Sequence, residues 1–353
     1  MTLVNTLLEP IRVDYREALD KNENRGSKYG ALAQFMRDTS APNSIFTDDT
    51  KAKISGSFGN TVNIPVIDYK DVTLTNTRSC VIADDENTSQ LINVTYTTYQ
   101  FGFTMVPSQY SQNSIGYEND FKIKMKAALN KFQATLDSQC IAQLESDKNQ
   151  FWTNVAPDYY AEIGDTLQVP LAQKEDFYNN LQSIHGTMDF GADDIQVVSN
   201  WNELTNVRRY FAQGAQNGIN EAFQLGPYSW DSTNRVLNTA GTGSTVYSYP
   251  QGTVAIWNRN DPDSIRGQSI GGAESPSKQW AVVPVLLEDG STIDMGTYYT
   301  QDCADKSALG GGANEASLVE GFSFHTDIVT MTAYNSDRAG RYSPIVKSEM
   351  KQV

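Results

Sequence analysis

Residues 91–106, LINVTYTTYQFGFTMV, alternate in side-chain direction along an extended chain. Thr95, Thr97, Tyr99, Phe101, Phe103 and Met105 share one face, and Ile92, Val94, Tyr96, Thr98, Thr104 and Val106 share the other. Strands average about 5–6 residues, whereas roughly sixteen at about 3.3 Å each would reach about 50 Å. The preceding runs TVNIPVIDY and VTLTNTRSCVI are also rich in Val, Ile and Thr, and ADDENTSQ supplies a polar tip. Residues 55–106 are therefore expected to form a long antiparallel hairpin, with Pro65 at an edge or a bulge. Both of its faces carry apolar residues, so each face requires cover.

A helix follows. Between Gly116 and Pro157 there is neither Gly nor Pro, and Phe121, Met125, Leu129, Phe132, Leu136, Cys140 and Leu144 recur at steps of three and four. The stretch YENDFKIKMKAALNKFQATLDSQCIAQLES predicts a rod about 45 Å long with one apolar stripe, and Glu118 and Asp120 suit its positive N-terminal end. Steps of four drift from a strict heptad, so the stripe reads as a packing spine and not as a coiled coil. Beyond Pro157 the pattern becomes that of a compact α/β lobe. QKEDFYNNLQSIHGTM and WNELTNVRRYFAQGAQ read as helices, DIQVVSN and TVAIWNRN as strands, QWAVVPVLLEDGSTIDMGTYY as a hairpin and GFSFHTDIVTMTAY as the last strand. Before the hairpin, VDYREALDKN and GALAQFMRD predict short helices and TSAPNSIFTDDTKAKISGSFGN an extended segment. An arm of this kind has little core of its own and must lie on something else.

Composition narrows the classes. A hydrophobic share of 39% excludes wholesale disorder, and no run of eighteen apolar residues suggests a membrane span. The first twenty residues lack a basic-then-apolar signal sequence, which speaks against secretion by that route. Cys80, Cys140 and Cys303 are odd in number and far apart, consistent with a reducing compartment and with small buried hydrophobes. The net charge is −15 with a pI near 4.6, a poor basis for gripping a phosphate backbone. Residues 1–53 are neutral, with eight basic and eight acidic groups, while residues 149–353 carry twelve basic and twenty-four acidic ones.

Motifs for catalysis are lacking. His185 and His325 stand apart without ligands at metal spacing, there is no nucleophile elbow and no phosphate loop, and GTGSTV at 241–246 reads as a turn. The acidic pieces DPD at 261–263 and ADD at 192–194 read as turns or caps, and Arg208 and Arg209 as helix-surface cations. No cofactor or metal is expected, and the chain is not read as an enzyme.

The order of parts is the more informative signal. Arm, long hairpin, spine helix, α/β lobe and closing strand together resemble the major capsid protein of tailed bacteriophages, the Hong Kong 97-like family. That resemblance implies an α+β fold with an N-terminal arm over 1–54, a β-hairpin E-loop over 55–112 and the spine helix of a P-domain over 113–160. It further implies an A-domain over 161–284 and a return to the P-domain sheet over 285–353. It implies pentamers and hexamers of this chain closing into an icosahedral virion shell around double-stranded DNA, assembled in the host cytoplasm and bound to no membrane. A portal would be a partner. A separate scaffolding protein is expected too, because no long charged helical prefix precedes Met1. On this reading Ile82, Asp84, Asp85, Glu86, Tyr96 and Tyr99 contact a neighbouring subunit, and Phe121, Met125, Leu129, Phe132, Leu136 and Leu144 form the core face of the spine. An encapsulin-like compartment would share the fold, a tail-tube protein would need no long spine helix, and a carbohydrate-acting protein would want a signal peptide and paired carboxylates.

Overall fold

The computed structural model describes residues 2–20, 28–57, 59, 61–68, 76, 88–110, 116–148, 160–187, 194–203, 205–207, 228–238, 242–260, 269–270, 278–305, 316–333 and 343–351. Helices are α1 (Thr2–Asp20), α2 (Gly30–Thr39), α3 (Asp48–Gly56), α4 (Tyr117–Ser146) and α5 (Lys174–Thr187). Strands are β1 (Thr61–Asp68), β2 (Thr88–Thr95), β3 (Thr97–Met105), β4 (Ala161–Glu162), β5 (Leu167–Pro170), β6 (Ile195–Ser199) and β7 (Tyr228–Ser232). They continue as β8 (Thr242–Pro250), β9 (Val254–Arg259), β10 (Ser269–Ile270), β11 (Lys278–Leu286), β12 (Thr292–Asp305), β13 (Ala316–Thr332) and β14 (Val346–Lys351). The chain is α+β, with three sheets among the described residues. β1 and β2 form a ribbon by themselves; β10-β11-β12-β13-β3, with β9 also on β13, form the large sheet; β4-β5-β14-β8-β6-β7 form the lobe sheet.

α4 lies across the large sheet. Its stripe Phe121, Met125, Leu129, Phe132, Leu136, Cys140 and Leu144 is buried throughout, in one cluster with Phe322, Phe324 and Ile328 of β13 and Met105 of β3. The alternation of β3 serves this packing: Tyr99, Phe101 and Phe103 turn toward the helix, with Phe101 stacked on Phe324 at 5.3 Å and Phe103 edge-on to Phe121 at 5.3 Å.

The 91–106 run is not one strand. It breaks at Tyr96, where the chain leaves the ribbon and enters the large sheet. The covered face switches there from Val94 and Tyr96, in the root cluster, to Tyr99, Phe101, Phe103 and Met105, facing α4, and the hydrogen-bonding partner changes from β1 to β13.

The N-terminal region also differs from an extended arm. α1 begins at Thr2, and Val4, Leu7, Leu8 and Ile11 pack on the chain's own main cluster. α3 occupies part of the segment expected to be extended; Thr47 caps it, its Oγ1 accepting from Thr50 N at 3.3 Å. α2 is buried on nearly all sides and stands between the two large sheets. Its N-terminus has no cap of its own, and Asp137 of α4 provides one, Oδ1 accepting from Leu32 N at 2.9 Å. Gln34 donates to Val197 O of β6 at 3.0 Å and accepts from Tyr249 of β8 at 2.9 Å. Gly30 allows the closest approach, because a Cβ there would stand 2.6 Å from Ser232 O of β7.

Two expectations about the C-terminal half are corrected. β9 and β11, within the range expected for the A-domain, belong to the large sheet, and the closing strand is not β13. β14 re-enters the lobe sheet instead, parallel to β5 and antiparallel to β8. GTGSTV is no simple turn either, since Thr242–Pro250 is a strand inside that sheet. No described helix is long and apolar enough to cross a membrane.

Candidate assembly interface

β1 and β2 pair in register from Thr61↔Thr95 to Asp68↔Thr88, and among the described residues neither strand pairs with any other. Pro65, opposite Leu91, therefore sits on an edge strand, where its missing N–H is tolerated. At the root the two faces differ. Val62, Ile64, Val94 and Tyr96 are buried in a cluster with Phe46, Ile54 of α3, Ala255 of β9 and Val329 of β13. Thr61, Asn63, Asn93 and Thr95 are exposed, and Leu91 is 65% exposed. At the root, part of the cover that the hairpin requires comes from its own chain, on one face.

A single cation organises that root. Arg259, at the end of β9, donates through Nε and Nη2 to Asp327 Oδ2 at 3.2 and 2.7 Å. Its Nη1 donates to the carbonyls of Ser57 and Gly59, and its guanidinium lies 3.9 Å from the Tyr96 ring centre. The Tyr96 hydroxyl donates to Ile54 O at 2.6 Å.

Of the residues expected to touch a neighbouring subunit, Tyr96 and Tyr99 are used within the chain. Tyr96 is buried at the root, and Tyr99 sets its ring edge-on to Phe132 at 5.9 Å while its hydroxyl bonds Gln139 of α4. Tyr96 therefore offers little outward surface, while Tyr99 is half-buried. Ile82, Asp84, Asp85 and Glu86 lie outside the described residues, as do Arg208, Arg209 and the DPD at 261–263. Arg259, Asp327 and Leu91 carry no sequence motif; only Leu91, an apolar residue out of phase with Ile92 and Val94, left a trace.

The buried ionisable groups have structural partners. Burial pushes His185 down to about 3, so its imidazole is neutral, with Nε2 3.0 Å from Ser248 Oγ. His325 lies on β13 of the other sheet, its ring edge-on to Trp280 at 6.0 Å. Among the described residues no group of His, Cys, Asp and Glu could hold a metal ion. Burial raises Glu203, whose carboxylate accepts from Tyr178 at 3.0 Å, and raises Asp137.

Asp38 of α2 is the most consequential of these carboxylates. Its Oδ2 accepts from Gly252 N at 3.0 Å and Val254 N at 3.3 Å, holding the crossover from the lobe sheet to the large sheet, and Gln196 of β6 bonds its other oxygen. Burial outweighs these bonds and raises it from 3.8 to about 6. The folded chain then binds this proton more tightly than the unfolded chain. The resulting stability is full below about pH 4 and lost as pH rises through about 6, a change on the order of 3 kcal/mol. Melting temperatures at about pH 7.5 and about pH 5 should show Asp38→Asn losing this part of the acid-side gain, read as a flatter profile than the wild type. An unchanged pH profile would remove Asp38 from the account.

No protein-family model and no curated protein sequence matches the chain. Among solved structures, it is similar to the capsid of Ralstonia phage GP4 at 8% identity, covering 91% of this chain and 90% of that one with a TM-score of 0.48. It is similar to the capsid of cyanophage Pam1 at 14% identity, with 91% and 92% covered and a TM-score of 0.47. A chain of Mycobacterium phage Che8 is similar at 10% identity, with 87% and 89% covered and a TM-score of 0.46.

Proposed function

We propose that this chain is the major capsid protein of a tailed bacteriophage, assembling as pentamers and hexamers into an icosahedral shell around double-stranded DNA. The observation that carries the reading is the ribbon. An isolated two-stranded hairpin is marginal in water, and among the described residues the cover given by its own chain lies at the root. Beyond the root, both edges lack a strand partner among the described residues and Leu91 is exposed. Open edges and apolar positions of this kind are stabilised by lying on another chain, and repetition of one such contact closes into a shell when its rotation closes.

A net charge of −15 fits a container that encloses DNA without sequence-specific binding, since phosphate affinity comes from Lys and Arg. A portal and a separate scaffolding protein complete the expected partners, and the virion is the expected location. The purified chain, with and without coexpressed phage scaffold, should sediment as capsomers or closed shells and show them by electron microscopy. Nuclease-protected nucleic acid in particles separates a genome shell from a protein-filled compartment. A monodisperse monomer at high concentration under both conditions overturns the reading.

A further inference from the structure

The chain enters the ribbon through Ser57 and Gly59 and leaves it through Tyr96, and one side chain touches all three. Arg259 bonds the two carbonyls on the entering side, lies over the ring on the leaving side, and is fixed to the large sheet by Asp327. Asp327 is itself oriented, its Oδ1 accepting from Thr98 Oγ1 of β3 at 2.7 Å. Besides the Tyr96 hydroxyl on Ile54 O at 2.6 Å, which holds the leaving strand alone, the root cluster is apolar: Val62, Ile64 and Val94 against Phe46, Ile54, Ala255 and Val329. Such contacts are non-directional and tolerate rotation of one layer over another. Strand pairing does not fix the direction either, because among the described residues β1 and β2 pair only with each other. A planar guanidinium with five donors in a fixed fork is the directional element that ties the entering and the leaving side together to the large sheet.

We propose that Arg259 is a positioning residue that sets the angle at which the ribbon leaves the protomer, and so the way the ribbon meets the next copy of the chain. The second half of this statement rests on the shell reading above. Two of its acceptors are main-chain carbonyls, so no neighbouring side chain can be exchanged to replace the bonds. Lysine at this position would keep the charge facing Asp327. It would lose the fork, since an ammonium on a flexible stem cannot span Asp327, two carbonyls and a ring at once.

Spin labels carried on non-canonical residues at positions 91 and 131, both exposed, report the ribbon against α4 in the dilute protomer. The wild type should give a narrow distance distribution, and Arg259→Lys and Arg259→Ala broad ones at melting temperatures that leave the protomer folded. Closed shells should fall about tenfold in yield, the factor that one lost contact of ordinary strength makes in an association constant. If the alanine variant fails to fold, the lysine variant decides. Arg259→Lys with the wild-type distance distribution overturns the positioning role. Broadened distances with undiminished shells overturn its link to assembly. A wild type that forms no shells is a failure of the shell reading, and the label distances then still decide whether Arg259 fixes the ribbon.

Discussion

Replacing residues 69–87 by Asn-Gly, so that a two-residue turn joins Asp68 to Thr88, is expected to leave a folded protomer that builds no shells. Asp68 and Thr88 are the last register pair of the ribbon, and a type I′ turn suits the twist of two antiparallel strands at that spacing. The root is untouched: Val62, Ile64 and Val94 keep their cluster, and Arg259 keeps Ser57, Gly59 and Tyr96. Circular dichroism and a cooperative melt should therefore stay close to the wild type. The variant loses Ile82, Asp84, Asp85 and Glu86, four of the six residues expected to contact a neighbouring subunit. A specific contact usually needs more than about 1,000 Å² in total, and removing a large share of it should leave small oligomers in sedimentation and few closed particles in micrographs. Shells of normal number and stability would show that this segment makes no contact between subunits.

What could be read in the sequence followed from how local the determining interactions are. The bounds of α4, Tyr117–Ser146, coincide with the stretch chosen from its stripe, because a run without Gly or Pro and with regular apolar steps leaves few alternatives. The break at Tyr96 coincides with a shift of the larger apolar side chains from even positions (Ile92, Val94, Tyr96) to odd ones (Tyr99, Phe101, Phe103, Met105). Apolar residues on both faces mask it, and its anchors, the Ile54 carbonyl and the Arg259 guanidinium, lie far away in sequence. α1 was placed too late in the chain, since Pro10 stands inside it and a proline normally ends a helix. α2 was found as a helix but not as the strut between sheets, because its buried polar residues Gln34 and Asp38 have their partners far away in sequence. Thr47 followed by Asp48 and Asp49 was a legible start for α3, outweighed by the surrounding turn-forming residues. β14 was lost behind its charges. Lys347 and Glu349 are buried together, and Lys347 also meets Glu145 of α4 at 3.1 Å, so the strand reads as a solvated tail until its partners are known. Arg259 belongs to the same class, since nothing near it in sequence distinguishes it from a surface cation.

Leu136→Asp is expected to abolish folding, whereas Lys131→Ala, five positions earlier on the same helix, should be nearly silent. Leu136 is fully buried in the main cluster. Truncating a buried leucine alone costs about 2–5 kcal/mol. Asp adds a carboxylate to an apolar site, and an unpaired one costs several kcal/mol more, whether it stays charged or takes up a proton. The nearest polar group cannot help. Asp137 is itself a buried acid, already bonded to Leu32 N, Thr233 and, at 3.6 Å, Arg235, so a second carboxylate beside it is repelled. The combined loss matches or exceeds the whole stability of an ordinary domain, about 5–15 kcal/mol. Lys131 is exposed on the opposite side, and alanine is the better helix former, so its replacement should stay within about 0.5 kcal/mol. Leu136→Ala separates the two terms, remaining soluble with a lower melt if the cavity alone is survivable. Soluble yield, circular dichroism and thermal melts of the three variants test the ordering. Equal folding and equal assembly of Leu136→Asp and Lys131→Ala would mean that the stripe of α4 does not form the core that joins it to the large sheet.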